Sequence, residues 1–185
     1  AGRGRAGPRG AARRVAGGNT GGVGKAGAGW LDVHGAGCGA MVNEYAHLLA
    51  DDPNWADRAA AVSALVRDVS ELLAEAGPVS GGSLPFKVTY DAPCHLQHAQ
   101  RIPAQPFAVL AAIPGLTLVP LTDSDQCCGA AGIYNLVEPA VSGAVLEPKL
   151  AHIARTGARY VTTGNPGCLM QIGAGLRRSG SNAST

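Results

Sequence analysis

Aromatic residues are scarce in this sequence: Phe, Tyr and Trp make up 4% of 185 residues, although apolar residues as a whole reach 46%. Its core must therefore be built largely from Ala, Val and Leu. No apolar run approaches the roughly 18 residues that a membrane-spanning helix needs, and no hydrophobic leader-like segment precedes the cysteines. The five cysteines are an odd number and include no CxxC pair. That count argues against a disulfide scaffold, and the spacing differs from the close pairs usual in zinc sites. The C-x2-C-x2-C-x3-C-P run of small ferredoxins is missing too. Acidic residues are absent before Asp32, where six basic ones stand (Arg3, Arg5, Arg9, Arg13, Arg14, Lys25). From residue 31 onward nine basic and thirteen acidic residues give a net charge of −4. Without a Lys/Arg stripe there, the expectation is no nucleic-acid partner. Reduced cysteines point to the cytoplasm.

Residues 1–30 are mostly Gly, Ala and Arg. Such a stretch buries too little surface to offset its ordering entropy, so it reads as a disordered tail. Within it, Thr20 to Ala26 resembles a phosphate-binding loop only superficially. Asn19 stands where that motif needs Gly, Ala26 where it needs Ser or Thr, and no strand precedes it. Order is expected from Leu31-Asp32-Val33, a short strand. Met41, Val42, Tyr45, Leu48 and Leu49 then repeat at helical spacing until Asp51-Asp52-Pro53. A second helix is expected, capped by Asn54 with Asp57, with a face of Trp55, Val62, Leu65, Val69, Leu72 and Leu73, ending at Gly77-Pro78. Residues 79–85 read as a linker.

Beyond the linker one unit recurs: strand, cysteine, helix. Strands are expected over 86–90, 116–121 and 159–163. Helices are expected over 104–112 and 138–155, with Pro148 breaking or kinking the second, and a third carries Leu169, Ile172 and Leu176. Alternating strands and helices imply an α/β fold with a mostly parallel sheet and flanking helices. In such sheets sites form outside the carboxyl ends of the strands. Cys38, Cys94, Cys127 with Cys128, and Cys168 each follow a strand, so residues far apart in sequence are expected on one sheet edge, near helix N-termini that favour thiolates.

The densest signal is Asp125-Gln126-Cys127-Cys128-Gly129-Ala130-Ala131-Gly132. Every cysteine has a Gly or Pro within two residues: Gly37-Cys38-Gly39, Pro93-Cys94-His95, Cys128-Gly129 and Asn165-Pro166-Gly167-Cys168. That is the composition of loop sites, where glycine allows close backbone approach. Four readings follow from the residues: an iron–sulfur cluster, a zinc site, a thiol redox centre, or structural cysteines. A vicinal Cys127–Cys128 disulfide would be strained and lacks a separate resolving thiol. His95 and His98 could ligate or lie beside the site; His34, His47 and His152 read as surface residues. Asp123 and Asp125 could shape the Cys127 loop, and Gly129 and Gly132 serve its backbone. Tyr134 and Asn135 could line the site or simply pack, and Trp30 and Trp55 could mark a partner surface or close a core.

Taken together, Pro93-Cys94-His95-Leu96, Cys127-Cys128-Gly129 and Gly164-Asn165-Pro166-Gly167-Cys168-Leu169 resemble the CCG cysteine-rich domain. That domain occurs in the heterodisulfide reductases and in the iron–sulfur subunits of 2-hydroxy-acid dehydrogenases. Ala36-Gly37-Cys38-Gly39-Ala40-Met41 with Glu44-Tyr45, and Ala130 to Asn135, are similar in detail to the glycolate oxidase iron–sulfur subunit. The resemblance implies that residues 31–78 are the remnant of a first CCG repeat plus a helical linker. Residues 86–178 are then a complete second repeat, and 179–185 a tail. It implies ligands Cys94, Cys127, Cys128 and Cys168, with Cys38 as the last cysteine of the first repeat, and His95, Gly129 and Asn165 around them. The cofactor implied is an iron–sulfur cluster of the 4Fe-4S type, cubane or noncubane. Asn165 stands where the heterodisulfide reductases have the first cysteine of a final CxxC, which favours four-cysteine ligation and offers an amide to a cluster sulfur.

The implied function is electron transfer in a glycolate dehydrogenase complex. A flavin-containing partner subunit would oxidise the 2-hydroxy acid, and electrons would pass toward quinone. Membrane contact is then indirect, at most peripheral on the inner face of the plasma membrane. A heterodisulfide reductase-type or lactate-oxidation-type redox subunit, and a structural zinc-binding module, are the alternatives. Family members carry a ferredoxin-like part and a full first repeat ahead of this region. The present sequence is therefore expected to be an N-terminally truncated or frame-shifted product, with residues 1–30 in place of folded sequence.

Overall fold

Among the described residues, short β-branched runs set between glycine- and proline-rich turns produce five strands, all paired in parallel. The computed structural model describes residues 8–27, 29–77 and 81–185. Strands β1 (Leu31–Val33) and β2 (Val66–Asp68) form one small sheet. Strands β3 (Lys87–Asp91), β4 (Thr117–Val119) and β5 (Tyr160–Thr163) form another, in the order β4-β3-β5. Helices α1 (Pro8–Ala26), α2 (Ala36–Asn43), α3 (Tyr45–Leu48), α4 (Ala56–Leu65) and α5 (Val69–Ala76) accompany the first sheet. A π-helical turn (His95–Ala99), α6 (Gln105–Ala111), α7 (Tyr134–Val137), α8 (Pro139–Thr156) and α9 (Pro166–Arg178) accompany the second. The expected α/β class holds, with parallel sheets and flanking helices.

The larger core packs α8 and α9 on the second sheet through Leu121, Leu146, Ile153, Val161, Ile172 and Leu176, and it takes in Cys128 and Cys168. Each such aliphatic side chain contributes about 1.5–3 kcal/mol by leaving water. The helices approach closely at Gly175, where a Cβ would stand 2.8 Å from the side chains of Leu146 and Leu150. Helix α8 runs through Pro148 without a break. Proline removes one backbone donor, but the buried Leu146, Lys149 and Ile153 hold both sides of it against the core. Residues 179–185 turn back along the sheet: the Val161 amide donates to the Ser184 carbonyl (2.8 Å), and the Ser184 amide to that of Arg159 (3.0 Å).

Two expectations about the first half are corrected. Residues 8–26, expected to be disordered, form α1; residues 1–7 of that tail lie outside the described residues. The helix has little apolar mass, so its burial comes from elsewhere. Ala16 and Thr20 are fully buried, and the Trp55 ring lies 3.4–3.5 Å from where a Cβ on Gly17 or Gly21 would stand. Arg13 Nε donates to the Leu48 carbonyl (2.9 Å) and Asn19 Nδ2 to the Tyr45 hydroxyl (2.7 Å). A flat strip of small residues thus packs against Tyr45, Leu49 and Trp55, which intrinsic propensity does not register. Thr20 to Ala26, the phosphate-loop lookalike, is part of this helix. Replacing Trp55 by Ala is expected to cost about 1–2 kcal/mol, as for a half-buried ring. It should also speed tryptic cleavage at Arg13 and Lys25; unchanged cleavage would show that Trp55 does not hold α1.

The single helix expected from Asn54 to Ala76 is instead α4, β2 and α5. Val66 leaves the helix to pair with Leu31. Asp68 then restarts it: its carboxylate accepts from the Ser70 amide (2.9 Å), while Glu71 accepts from the Asp68 amide (3.0 Å). Asn54 caps nothing; its amide donates to Asp52 Oδ1 (3.1 Å) and Trp55 takes the cap position without a side-chain bond. The expected helix through Met41 and Leu49 is likewise two helices, α2 and α3, and Met41 is exposed.

Candidate functional site

Each strand of the second sheet delivers a cysteine at its carboxyl end. Past β3, Cys94 precedes the π-helical turn, whose Leu96 and Gln97 amides both donate to the Pro93 carbonyl (2.9 and 3.0 Å). Past β4, a loop without regular structure carries Cys127 and Cys128. Past β5, Cys168 is the third residue of α9 rather than a loop residue as the sequence suggested. Asn165 caps that helix, its Oδ1 accepting from the Gly167 amide (3.1 Å).

The four thiols form a series along this edge. Cys127 is adjacent to Cys128 in sequence and near enough to Cys94 for the two thiols to act on each other's proton affinity. Cys128 donates to Cys168, with 3.0 Å between the sulfurs. Cys128 and Cys168 are buried, Cys94 and Cys127 half-buried, and none is in a disulfide. Backbone amides serve the sulfurs too, the Gly129 N–H pointing to Cys127 Sγ at 3.3 Å. Burial, and next the neighbouring Cys127, push the Cys94 thiol up. The neighbouring Cys128, followed by burial, pushes Cys127 well above the usual thiol range. For Cys128 the neighbouring Cys127 acts downward, but contact with Cys168 and burial outweigh it, and the thiol is pushed up to about 12. Without a cation these groups hold their protons, and a metal entering the array would displace them.

Glycine at 129 is a steric requirement. Its φ is +83°, and a Cβ would lie 2.5 Å from the Ser142 carbonyl oxygen. Ser142, on α8, donates through Oγ to the Gly129 carbonyl (2.8 Å) and accepts from Gln171 Nε2 (2.8 Å), whose Oε1 accepts from Asn135 Nδ2 (3.1 Å). Further along α8, Lys149 Nζ donates to the Ser124 carbonyl (2.9 Å), and His152 Nδ1 lies 3.0 Å from the Thr122 carbonyl. His152 is therefore a loop anchor with a side chain 15% exposed, not the surface residue expected. Sequence reading also missed Lys149, Ser142 and Gln171. Single polar residues on an amphipathic helix read as its wet face, and the partners that change that meaning are distant in sequence.

Cys38 is exposed on α2, again as the third helical residue, and its Sγ lies 3.6 Å from where a Cβ on Gly35 would be. The Ala36 amide donates to the Gly164 carbonyl (3.2 Å), seating the α2 turn on the loop that leads to Cys168. His95 is exposed, its Nδ1 3.7 Å from Cys94 Sγ; His98 is exposed beside Asp125 at 3.9 Å. Exposed apolar side chains lie on the elements that carry or follow the cysteines: Ile133, Leu136, Val137 and Val141 after Cys128, and Leu169 and Met170 next to Cys168 in α9.

The donor set fits an iron–sulfur cluster. Its ligands would all be thiols, with the Gly129 amide as a donor beside Cys127. Among the described residues no group of three or more His, Cys, Asp or Glu side chains is gathered about one point.

Comparison with known proteins agrees. The family profile "CCG: Cysteine-rich domain" matches residues 88–173, the span containing all four thiols of the series. The chain is 40% identical over 147 residues to the probable glycolate oxidase iron-sulfur subunit of Bacillus subtilis (strain 168), covering 78% of this chain and 33% of that protein. It is 36% identical over 145 residues to lactate utilization protein A of Shouchella clausii (strain KSM-K16), covering 77% of this chain and 61% of that protein. Lactate utilization protein A of Exiguobacterium sp. (strain ATCC BAA-1283 / AT1b) is 34% identical over 145 residues, with 77% and 59% covered. The chain thus spans about a third to three fifths of the length of these curated relatives.

Proposed function

We propose that the chain, whose residues 88–173 match the CCG cysteine-rich domain profile, is an iron–sulfur electron-transfer subunit of a complex oxidising a 2-hydroxy acid, glycolate in the first instance. The observation that carries the reading is the series Cys94–Cys127–Cys128–Cys168 on one sheet edge. These four residues would hold a cluster of the 4Fe-4S type, with Cys38 at its flank. When bound, the cluster accepts and passes on single electrons. The protein's own part is to supply thiolates and to direct amide donors such as the Gly129 N–H toward sulfur. It also keeps Cys128 and Cys168 away from water; burial and hydrogen bonding are the levers that set such a centre's potential. His95 and Asn165 would stand next to the ligands. Oxidation of the hydroxy acid is assigned to a flavin-containing partner, with quinone as the eventual acceptor. The exposed apolar side chains on the elements that carry or follow the cysteines support contact with another subunit. The reading places the protein in the cytoplasm or at the inner face of the plasma membrane; no described helix is long and apolar enough to cross a membrane.

Anaerobic purification with absorption spectroscopy and iron and sulfide analysis tests the proposal. The expected outcome is a brown protein with iron and sulfide in equal amounts, both lost in Cys128→Ser. A colourless protein containing zinc would replace this reading with a structural module. The names of the relatives divide between glycolate and lactate, so the second step is reconstitution with candidate flavin subunits. Cluster reduction by glycolate, and not by lactate, is expected.

A further inference from the structure

We infer that the buried Lys149–Asp91 pair is the positioning element of the thiol array, joining the three strand-end segments that carry it. The purpose assigned to the pair rests on the iron–sulfur reading; its geometry does not. Both side chains are 1% exposed. Lys149 Nζ donates to Asp91 Oδ1 and to the Ser124 carbonyl (2.9 Å), and Asp91 Oδ2 accepts from Thr163 Oγ1 (3.1 Å). Asp91 closes β3 three residues before Cys94, Ser124 precedes Cys127 by three, and Thr163 closes β5 five residues before Cys168. One ammonium and one carboxylate therefore touch every segment of the second sheet that delivers a cysteine.

An ion pair is a poor way to fill such a space if filling is all that is needed. Apolar residues of similar volume are often as stable or more so, because both charges must be stripped of water. What the pair adds is direction, since each hydrogen bond sets where a chain leaves its strand. Ser142 supplies the opposite anchor. It grips the Gly129 carbonyl seven residues, or about 10.5 Å, back along α8. Cys127 and Cys128 are thereby held between two fixed points of one helix.

The test compares wild type with Lys149→Met/Asp91→Leu, which removes both charges together, and with Thr163→Val, which removes one arm only. The double variant is expected to unfold cooperatively with a midpoint near that of wild type. In the metal-free, reduced protein, iodoacetamide should alkylate its Cys128 about tenfold faster, the mark of a loosened loop. As purified anaerobically it should hold several-fold less iron and sulfide, with an altered electron paramagnetic resonance spectrum. A folded double variant whose alkylation rates, metal content and spectrum match wild type would overturn the inference. If the double variant does not fold, Thr163→Val decides: faster alkylation of Cys168 supports the pair's role, and an unchanged rate overturns it. If wild type itself takes up no iron and sulfide, the electron-transfer reading fails, while the alkylation comparison still judges the positioning role.

Discussion

A Gly129→Ala variant is expected to lose about 2–5 kcal/mol of stability and its capacity to hold the thiol array together. Two costs combine. A left-handed backbone costs any residue with a Cβ about 1–2 kcal/mol, and overpacking a fixed neighbour adds about 1–3. The neighbour is fixed because the clash, at 2.5 Å, is with the Ser142 main-chain carbonyl inside α8. If the loop moves away instead, it sacrifices the Ser142 hydroxyl bond to Gly129 and the Gly129 amide bond to Cys127 Sγ. Gly132→Ala is the matched control. Its φ of +68° carries the same conformational cost, but nothing lies within 4 Å of the new methyl. Chemical denaturation of both variants with iron analysis separates the two costs. Equal losses at the two positions would mean that φ alone matters and that the contact with α8 does not.

Asp91→Ala is expected to be about as damaging, for an electrostatic reason. It leaves the Lys149 ammonium fully buried with only the Ser124 carbonyl as partner, and removing one member of a buried pair typically costs about 3–5 kcal/mol. Burial itself pushes the Asp91 carboxyl above the usual carboxylate range, with Lys149 and then Thr163 acting in the opposite direction. The pair is thus held by its geometry against a strong desolvation penalty. Thr163→Val, which deletes one hydroxyl donor to Asp91, should cost only about 1 kcal/mol. Guanidinium denaturation of the reduced, metal-free proteins gives the comparison. A loss at Asp91 no greater than that at Thr163 would mean that water reaches the ammonium.

The cysteines and their place were legible because the signal is local and repeated: a short apolar strand, a Gly- or Pro-marked turn, a thiol. The same holds for Gly129, whose position after two cysteines is meaningful without knowing what it touches. Lys149 was not legible. A lone lysine in a helix ordinarily lies on the wet face, and the partners that make it a buried hub are 58 and 25 residues away. β2 was hidden by its length, since three residues between two helical patterns read as more helix until their pairing with β1 is seen. Helix α1 was hidden by composition. Gly and Ala weaken a helix taken by itself, yet they allow the close approach to Trp55 that holds it in place. In each case long-range packing determined what local pattern could not.

The three side chains by which α8 grips the Cys127 loop all reach main-chain carbonyls, those of Thr122, Ser124 and Gly129. A carbonyl is present whatever amino acid stands there. Thr122 and Ser124 are therefore free to drift in sequence without loosening the grip, whereas Ser142, Lys149 and His152 are not. Among natural variants or in a saturation library, tolerance should be concentrated at Thr122 and Ser124, ahead of the constrained Cys127-Cys128-Gly129, and intolerance in the helix behind them, the reverse of the usual rule that loops carry the constraint of function and helices merely support them.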